Sequence, residues 1–152
     1  MDEISFRTAT RADVPAILTL LADDDLGAAR EVVAEQVDAR YWRAFEAIDA
    51  DPRNELIVAE QHGTVIGTCQ LTFTPSLSRG GGERMTIEAV RVRGDLRGHG
   101  IGRAMMMWAL DRARQRGCRL VQLTTDKRRT DAHRFYASLG FAASHVGMKL
   151  SL

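Results

Sequence analysis

Residues 90–103 read Val-Arg-Val-Arg-Gly-Asp-Leu-Arg-Gly-His-Gly-Ile-Gly-Arg. An apolar, strand-like run enters a glycine-rich turn, and the turn opens a strongly helical segment. The first N–H groups of a helix have no internal acceptors and carry a partial positive charge, so such a junction can hold an anion. Glycines at 98, 100 and 102 remove the Cβ atoms that would keep a pyrophosphate from the backbone. Arg97 and Arg103 flank the turn and can add charge-assisted bonds. Two phosphate motifs are excluded. A dinucleotide fingerprint starting at Gly98 needs glycine at 103, where Arg103 stands, and no Gly-Lys-Ser/Thr of a P-loop occurs. What remains is Arg97-x-x-Gly100-x-Gly102, and a glycine turn that merely caps a helix would read the same way.

A second block, Thr130-Asp-Ala-His-Arg-Phe-Tyr-Ala-Ser-Leu-Gly-Phe141, falls on a later helix. Together the two blocks resemble the GNAT family of N-acetyltransferases. That family's acetyl-CoA loop reads Gln/Arg-x-x-Gly-x-Gly/Ala between a strand and a helix, and its later block reads Ala-x-x-Phe-Tyr-x-x-x-Gly-Phe. The resemblance is strong from Arg84 to Phe141 and weak over the first helices. It implies an α/β fold, with one mixed, mostly antiparallel sheet flanked by helices, and a single domain over residues 1–152. The implied activity is transfer of acetyl from acetyl-CoA to a primary amine of a small molecule, by direct attack in a ternary complex. The strand residues Val90, Arg91 and Val92, the loop residues Arg97, Gly98, His99, Gly100, Ile101, Gly102 and Arg103, and His133 are the implied cofactor contacts. One departure stands out: Arg129 occupies a position where many relatives carry asparagine. It either joins Lys127 and Arg128 at the cofactor phosphates or is solvated.

Acetyl transfer to an amine needs a neutral amine, stabilisation of charge developing on the carbonyl oxygen, and a proton for the departing thiolate. Tyr136 matches the family position for the acid; the alternative is a core tyrosine. Glu88 is the best candidate base. Strand alternation places it with Thr86, Val90 and Val92, opposite Ile87 and Ala89. A carboxylate among apolar neighbours on an inner strand tends toward a raised pKa. Water as base, or an ion pair of Glu88 with Arg84 or a nearby arginine, is the competing reading. Ile101, Ala104, Met105 and Trp108 have the spacing of a core stripe. Cys69 and Cys118 read as apolar-strand thiols rather than nucleophiles.

The elements around these residues follow from periodicity. A first strand is expected over residues 4–8 and a helix over 12–23. Helical periodicity runs over 30–50, in one piece or two. Strands over 55–60 and 65–74 meet across His62 and Gly63 as a hairpin. A loop over 76–82, a strand over 84–93 and a turn over 94–99 lead to a helix over 100–116, closed by Gly117. A strand over 119–124 and a helix over 130–139 precede one or two final strands within 141–152.

Composition narrows the class. The chain has 152 residues, 45% hydrophobic and 27% charged, which excludes a disordered or collagen-like polymer. Two distant cysteines and four scattered histidines give no disulfide framework and no metal spacing. Without a membrane-length apolar run or signal-peptide pattern, a cytoplasmic protein is expected. The net charge of +1 hides an acidic first portion and an arginine-rich remainder. A nucleic-acid partner is not expected, because that portion has few exposed-looking aromatics for stacking and no recognised binding motif; no membrane partner is expected either. A homodimer is left open. The alternatives to a small-molecule acetyltransferase are a non-catalytic acyl-CoA sensor domain and an acetyltransferase acting on protein N-termini or lysines. Asp23, Asp24, Asp25 and Glu31 could attract a cationic amine, or could form a solvated helix end.

Overall fold

The computed structural model describes residues 3–152, in two compact units that meet at Gln122 and Leu123. In the first unit β1, Ser5–Thr8, is followed by a 3-10 turn at Arg11–Asp13 and by α1, Val14–Leu21. The Asp13 carboxylate accepts the Thr10 N–H at 2.7 Å and both Nη atoms of Arg7 at 2.7 and 2.9 Å, so one acid starts the helix and anchors it to β1. Pro15 sits in the first turn, where a missing N–H costs nothing.

The helical periodicity expected over 30–50 resolves differently. α2 is Asp25–Arg30 and α3 is Ala39–Ala50, and residues 31–38 between them are not helical. Asp24 caps α2 by accepting the Gly27 N–H at 2.6 Å. Val32 and Val33, both β-branched, disfavour continuation, and Asp38 opens α3 by accepting the Arg40 N–H at 2.9 Å.

β2, Asn54–Gln61, and β3, Thr64–Thr74, form the expected hairpin, with His62 at φ 51° and Gly63 at φ 74° in its turn. The loop before the next strand holds one irregular turn, α4, Ser78–Gly81. β4, Arg84–Val92, leads through a 3-10 turn at Gly94–Leu96 to α5, Ile101–Arg116, and then to β5, Leu120–Leu123. The sheet order is β1-β2-β3-β4-β5, with the first four strands antiparallel. The helical crossover through α5 is the connection a parallel neighbour requires, and the sheet is mixed.

Both faces of the sheet are covered. Val58 packs with Ala9 and Ile17 on one face, beside a cluster of Val14, Leu18 and Phe45. Gly67 looks from the opposite face toward α5: a Cβ there would stand 3.8 Å from Met105 Sδ and 3.1 Å from the Arg91 carbonyl oxygen. The buried stripe of α5 is Ile101, Met105, Met106, Ala109 and Ala113. The expected stripe was rotated by part of a turn, for Ala104 is exposed and Trp108 half-buried.

The second unit, residues 123–152, contains α6, Thr130–Ser138. The helix ends as expected, with Gly140 at φ 97° and its N–H bonded to the Ala137 carbonyl. The strands expected within 141–152 are not formed. Alternation there is strand-like, but a strand needs a paired neighbour, and none is paired with this run among the described residues.

Candidate active site

The site in the first unit is organised by a flaw in β4. Gln70 of β3 stands opposite Glu88, and Thr68 stands opposite Arg91. One residue, Cys69, therefore faces two, Ala89 and Val90, which is a β-bulge. Ala89 takes a left-handed φ of 54°, at a cost of about 1–2 kcal/mol for a residue with a Cβ. Strain of this kind persists where the surroundings impose it, and it clusters at ligand sites. The extra residue leaves ladder groups of β4 available to something other than β3.

The bulge also corrects the expected face assignment. Up to Glu88 alternation holds: Met85 and Ile87 are buried, while Thr86 and Glu88 point the other way. Beyond Ala89 the parity inverts. Arg91, opposite Thr68, shares the face of Glu88, and Val92, opposite Gly67, lies on the face of Ile87. The sequence carried a signal for this, since the apolar phase slips between Ile87 and Val92.

Glu88 is exposed rather than enclosed by apolar side chains. No hydrogen bond or ion pair holds its carboxylate among the described residues, so the expected alternative of an Arg84 pair does not occur. On the same face lies a cavity of about 160 Å³ whose wall includes Ile17, Leu18, Tyr41, Phe45, Gln70 and Ala89. An apolar void near 150 Å³ accepts a molecule of benzene's size. Gln70, Tyr41 and Ala89 were not singled out from sequence, because nothing in their spacing marks them.

The acidic residues expected near this region are mostly engaged. Asp23 accepts the Gly94 N–H at 3.0 Å and faces Arg97, Asp24 caps α2, and Glu31 accepts the Tyr41 hydroxyl at 3.0 Å. The Asp25 side chain lies outside the described residues.

The glycine turn leaves open space beside its backbone. Gly98 and Gly100 have φ of 80° and 82°, and a Cβ at either would meet no atom within 4 Å. A side chain there would occupy that open space. The Ala104 N–H bonds to the Gly100 carbonyl at 3.0 Å, so the N–H groups of Ile101, Gly102 and Arg103 precede the helical ladder and have no acceptor within it. These features fit a pyrophosphate. Arg97 is turned away from this role in part: its Nε bonds to the Val92 carbonyl and its Nη2 to the Asp23 carbonyl, both at 3.2 Å. It fastens the turn to the residues after α1. His99 is folded back with Nδ1 3.2 Å from the Leu96 oxygen. Arg103 is exposed, and Val90 is half-buried beside the bulge.

In the second unit Tyr136 is half-buried, edge-on to Phe135 and Phe141 with ring centroids 5.1 and 5.9 Å away. His133 lies one turn earlier, with Nε2 3.0 Å from the Asp126 carbonyl. Arg128 pairs with Asp126 at 2.9 Å and holds that carboxyl well below its usual range. Arg129 is half-buried as the residue before α6. Of the thiols, Cys69 is fully buried, and burial pushes its pKa up to about 12. Cys118 is half-buried and also raised, by burial and by Glu83. Neither is a ready nucleophile. Among the described residues no cluster of three His, Cys, Asp or Glu could hold a metal ion, and no helix is long and apolar enough to cross a membrane.

Comparison with known proteins agrees with this geometry. The model of the acetyltransferase (GNAT) family matches residues 16–141. The aminoalkylphosphonate N-acetyltransferase of Salmonella typhimurium is 31% identical, over 95% of this chain and 89% of its own. The glucosamine 6-phosphate N-acetyltransferase of Trypanosoma brucei brucei is 29% identical, over 89% of this chain and 95% of its own. A crystal structure described as a transcriptional regulator from Bacillus halodurans C-125 is 47% identical, with a TM-score of 0.96 over 99% of this chain and all of that one.

Proposed function

Because the chain belongs to the acetyltransferase (GNAT) family and is an acetyl-CoA-dependent N-acetyltransferase, we propose that it acetylates a primary amine of a small molecule by direct attack in a ternary complex. The observation that carries this reading is the β4 bulge at Ala89, which lines the cavity beside Glu88 and runs on into the glycine turn. A nucleophile in that cavity and a thioester along β4 would meet at the bulge.

The N–H groups at the head of α5, with Gly98 and Gly100 open beside them, would hold the pyrophosphate of acetyl-CoA. Val90, Arg91 and Val92 would present backbone groups to the pantetheine arm, and His133 would touch it. The amine nitrogen attacks the thioester carbonyl, the C–S bond breaks, and the products are the amide and the free thiol. One proton leaves the nitrogen for Glu88, directly or through water. The departing sulfur takes a proton from the Tyr136 hydroxyl.

The cavity's size supports a small acceptor over a peptide, and the two curated relatives act on an aminoalkylphosphonate and an amino sugar phosphate by name. We place the whole reaction in one catalytic domain and in the cytoplasm, in keeping with two free thiols. A second reading, an acyl-CoA-binding regulator without catalysis, draws on the description of the 47% identical chain. A thiol-release screen against a panel of amines separates the two. Turnover with small amines is expected; acetyl-CoA binding without turnover on any amine would favour the regulator, and turnover on peptides alone would overturn the small-molecule assignment.

A further inference from the structure

The lining of the cavity beside Glu88 restricts what can occupy it. Ile17, Leu18, Phe45, Leu56 and Ala89 contribute apolar wall, and among the described residues no lysine, arginine or histidine lines it. Two of its polar members are already committed. The Thr68 hydroxyl donates to the Ile57 carbonyl at 2.8 Å. The Tyr41 hydroxyl donates to Glu31 at 3.0 Å and accepts the Val32 N–H at 2.9 Å. A phosphate or carboxylate seated here would meet no cation, and an unpaired buried charge costs far more than a lost hydrogen bond.

One polar atom of the wall is left over, and a chain of hydrogen bonds identifies it. Hydrogen bonds from the Arg53 N–H and the Asn54 amide hold the Asp51 carboxyl below its usual range, so it is ionised at neutral pH and only accepts. Asn54 Nδ2 donates to Asp51 at 2.8 Å, which leaves Asn54 Oδ1 to accept from Gln70 Nε2 at 3.0 Å and from the Thr72 hydroxyl at 2.9 Å. The Gln70 amide is thereby oriented. Its Oε1 is the acceptor end and takes no hydrogen bond among the described residues. Gln70 stands directly opposite Glu88 across β3 and β4. Side chains of such a pair share a face, with Cβ atoms about 4.5–5.5 Å apart.

We infer that the acceptor is a primary amine on a compact apolar body, an aryl or branched alkyl group without phosphate or carboxylate. The body fills the cavity, and the nitrogen lies between Gln70 Oε1 and the Glu88 carboxylate. The inference rests on the acetyl-transfer reading and names the substrate class of that site. A cavity of about 160 Å³ suits a single ring, since an apolar void near 150 Å³ accepts benzene. Two facing acceptors suit a nitrogen that brings only donors until it loses its proton. The amines that two relatives take by name carry a phosphonate or a phosphate, so the preference of this chain is of another class.

Thiol-release kinetics of the full chain with benzylamine and with 2-aminoethylphosphonate test this, beside calorimetric binding of each amine to the CoA-loaded protein. The wild type is expected to favour benzylamine in kcat/KM by about 10–100-fold, the worth of burying a ring-sized apolar group. Gln70→Leu is expected to raise KM for benzylamine by about tenfold, the loss of one hydrogen bond to the amine, with a smaller effect on kcat and none on KM for acetyl-CoA. Equal rates on the two amines, or preference for the phosphonate, overturn the inference and leave acetyl transfer standing. An equal loss on amine and acetyl-CoA in Gln70→Leu overturns the place given to Gln70, and the wild-type comparison needs no variant. With neither amine turned over, binding separates the two failures. Benzylamine bound more tightly than the phosphonate upholds the apolar pocket and fails the transfer reading; benzylamine unbound overturns the inference.

Discussion

Glu88 and Tyr136 can each be tested by removing one proton-carrying atom while keeping the shape. Glu88 has an unpartnered carboxylate next to a strained bulge, so its replacement by glutamine disturbs no ion pair. If it accepts the amine proton, kcat/KM of the wild type rises with pH, and in Glu88→Gln the enzyme's part of that rise weakens or moves to the amine's own ionisation. Acetyl-CoA binding is expected to survive, because the contacts proposed for the cofactor on β4 are backbone groups. A wild-type pH profile in Glu88→Gln would make water the acceptor. For Tyr136→Phe, stopped turnover assays are expected to show kcat lower by roughly 10²-fold, the usual scale of acid catalysis, with little change in acetyl-CoA affinity. Undiminished kcat would leave the phenol as a packing group of the Phe135 and Phe141 cluster.

At the scale of elements, the turn before α5 and the start of α1 carry opposite demands, openness and closure. Gly100→Val adds a Cβ in a left-handed backbone and a side chain in the open space beside the turn. Wild-type protein is expected to gain thermal stability from acetyl-CoA, by about 2.7 kcal/mol at a hundredfold excess over Kd; the variant is expected to lose most of that gain, and an unchanged gain would refute the loop's role. Asp13 is the closed counterpart. Its hydrogen bonds from Arg7, against the opposing effect of burial, hold its carboxyl below the usual range. A depressed folded pKa contributes stability that is fully present above the unfolded value of about 3.9 and lost as pH falls through the folded one. Asp13→Asn is expected to cost about 1–3 kcal/mol at neutral pH, and denaturation midpoints of the two proteins should converge in strong acid. A constant gap across pH would remove the carboxylate from the account. Both elements were legible in the sequence, because glycine spacing and an Asp-x-Pro helix start are local chemistry. The bulge was half legible. Its apolar phase slip was present, but the slip acquires meaning only once β3 fixes the register. Whether the run after Phe141 forms strands depends on a paired neighbour elsewhere, which periodicity does not reveal.

Over the whole molecule charge is uneven, with arginine concentrated after the hairpin turn, yet much of that charge is already spent within the fold. Arg93 pairs with Asp95, Arg97 with Asp23, Arg112 with Glu55, Arg114 with Asp111 and Arg116 with Glu83. Arg103, exposed on the first turn of α5, pairs with no carboxylate among the described residues. In the proposed reading it is a side-chain cation at the glycine turn that meets a phosphate, with the helix terminus behind it. Salt screens exposed charges over a Debye length of about 10 Å at 0.1 M and about 3 Å at 1 M. Raising KCl is thus expected to raise KM for acetyl-CoA by about two- to fivefold, the worth of one exposed charge pair, while kcat holds. Backbone N–H groups, being neutral donors fixed in place, should keep most of the affinity through the titration. Arg103→Gln is expected to raise KM at low salt and to flatten its salt dependence, because the screened partner is then gone. Steady-state kinetics of both proteins across the KCl series would check this; an equal salt slope in the variant would place the responsible charge elsewhere.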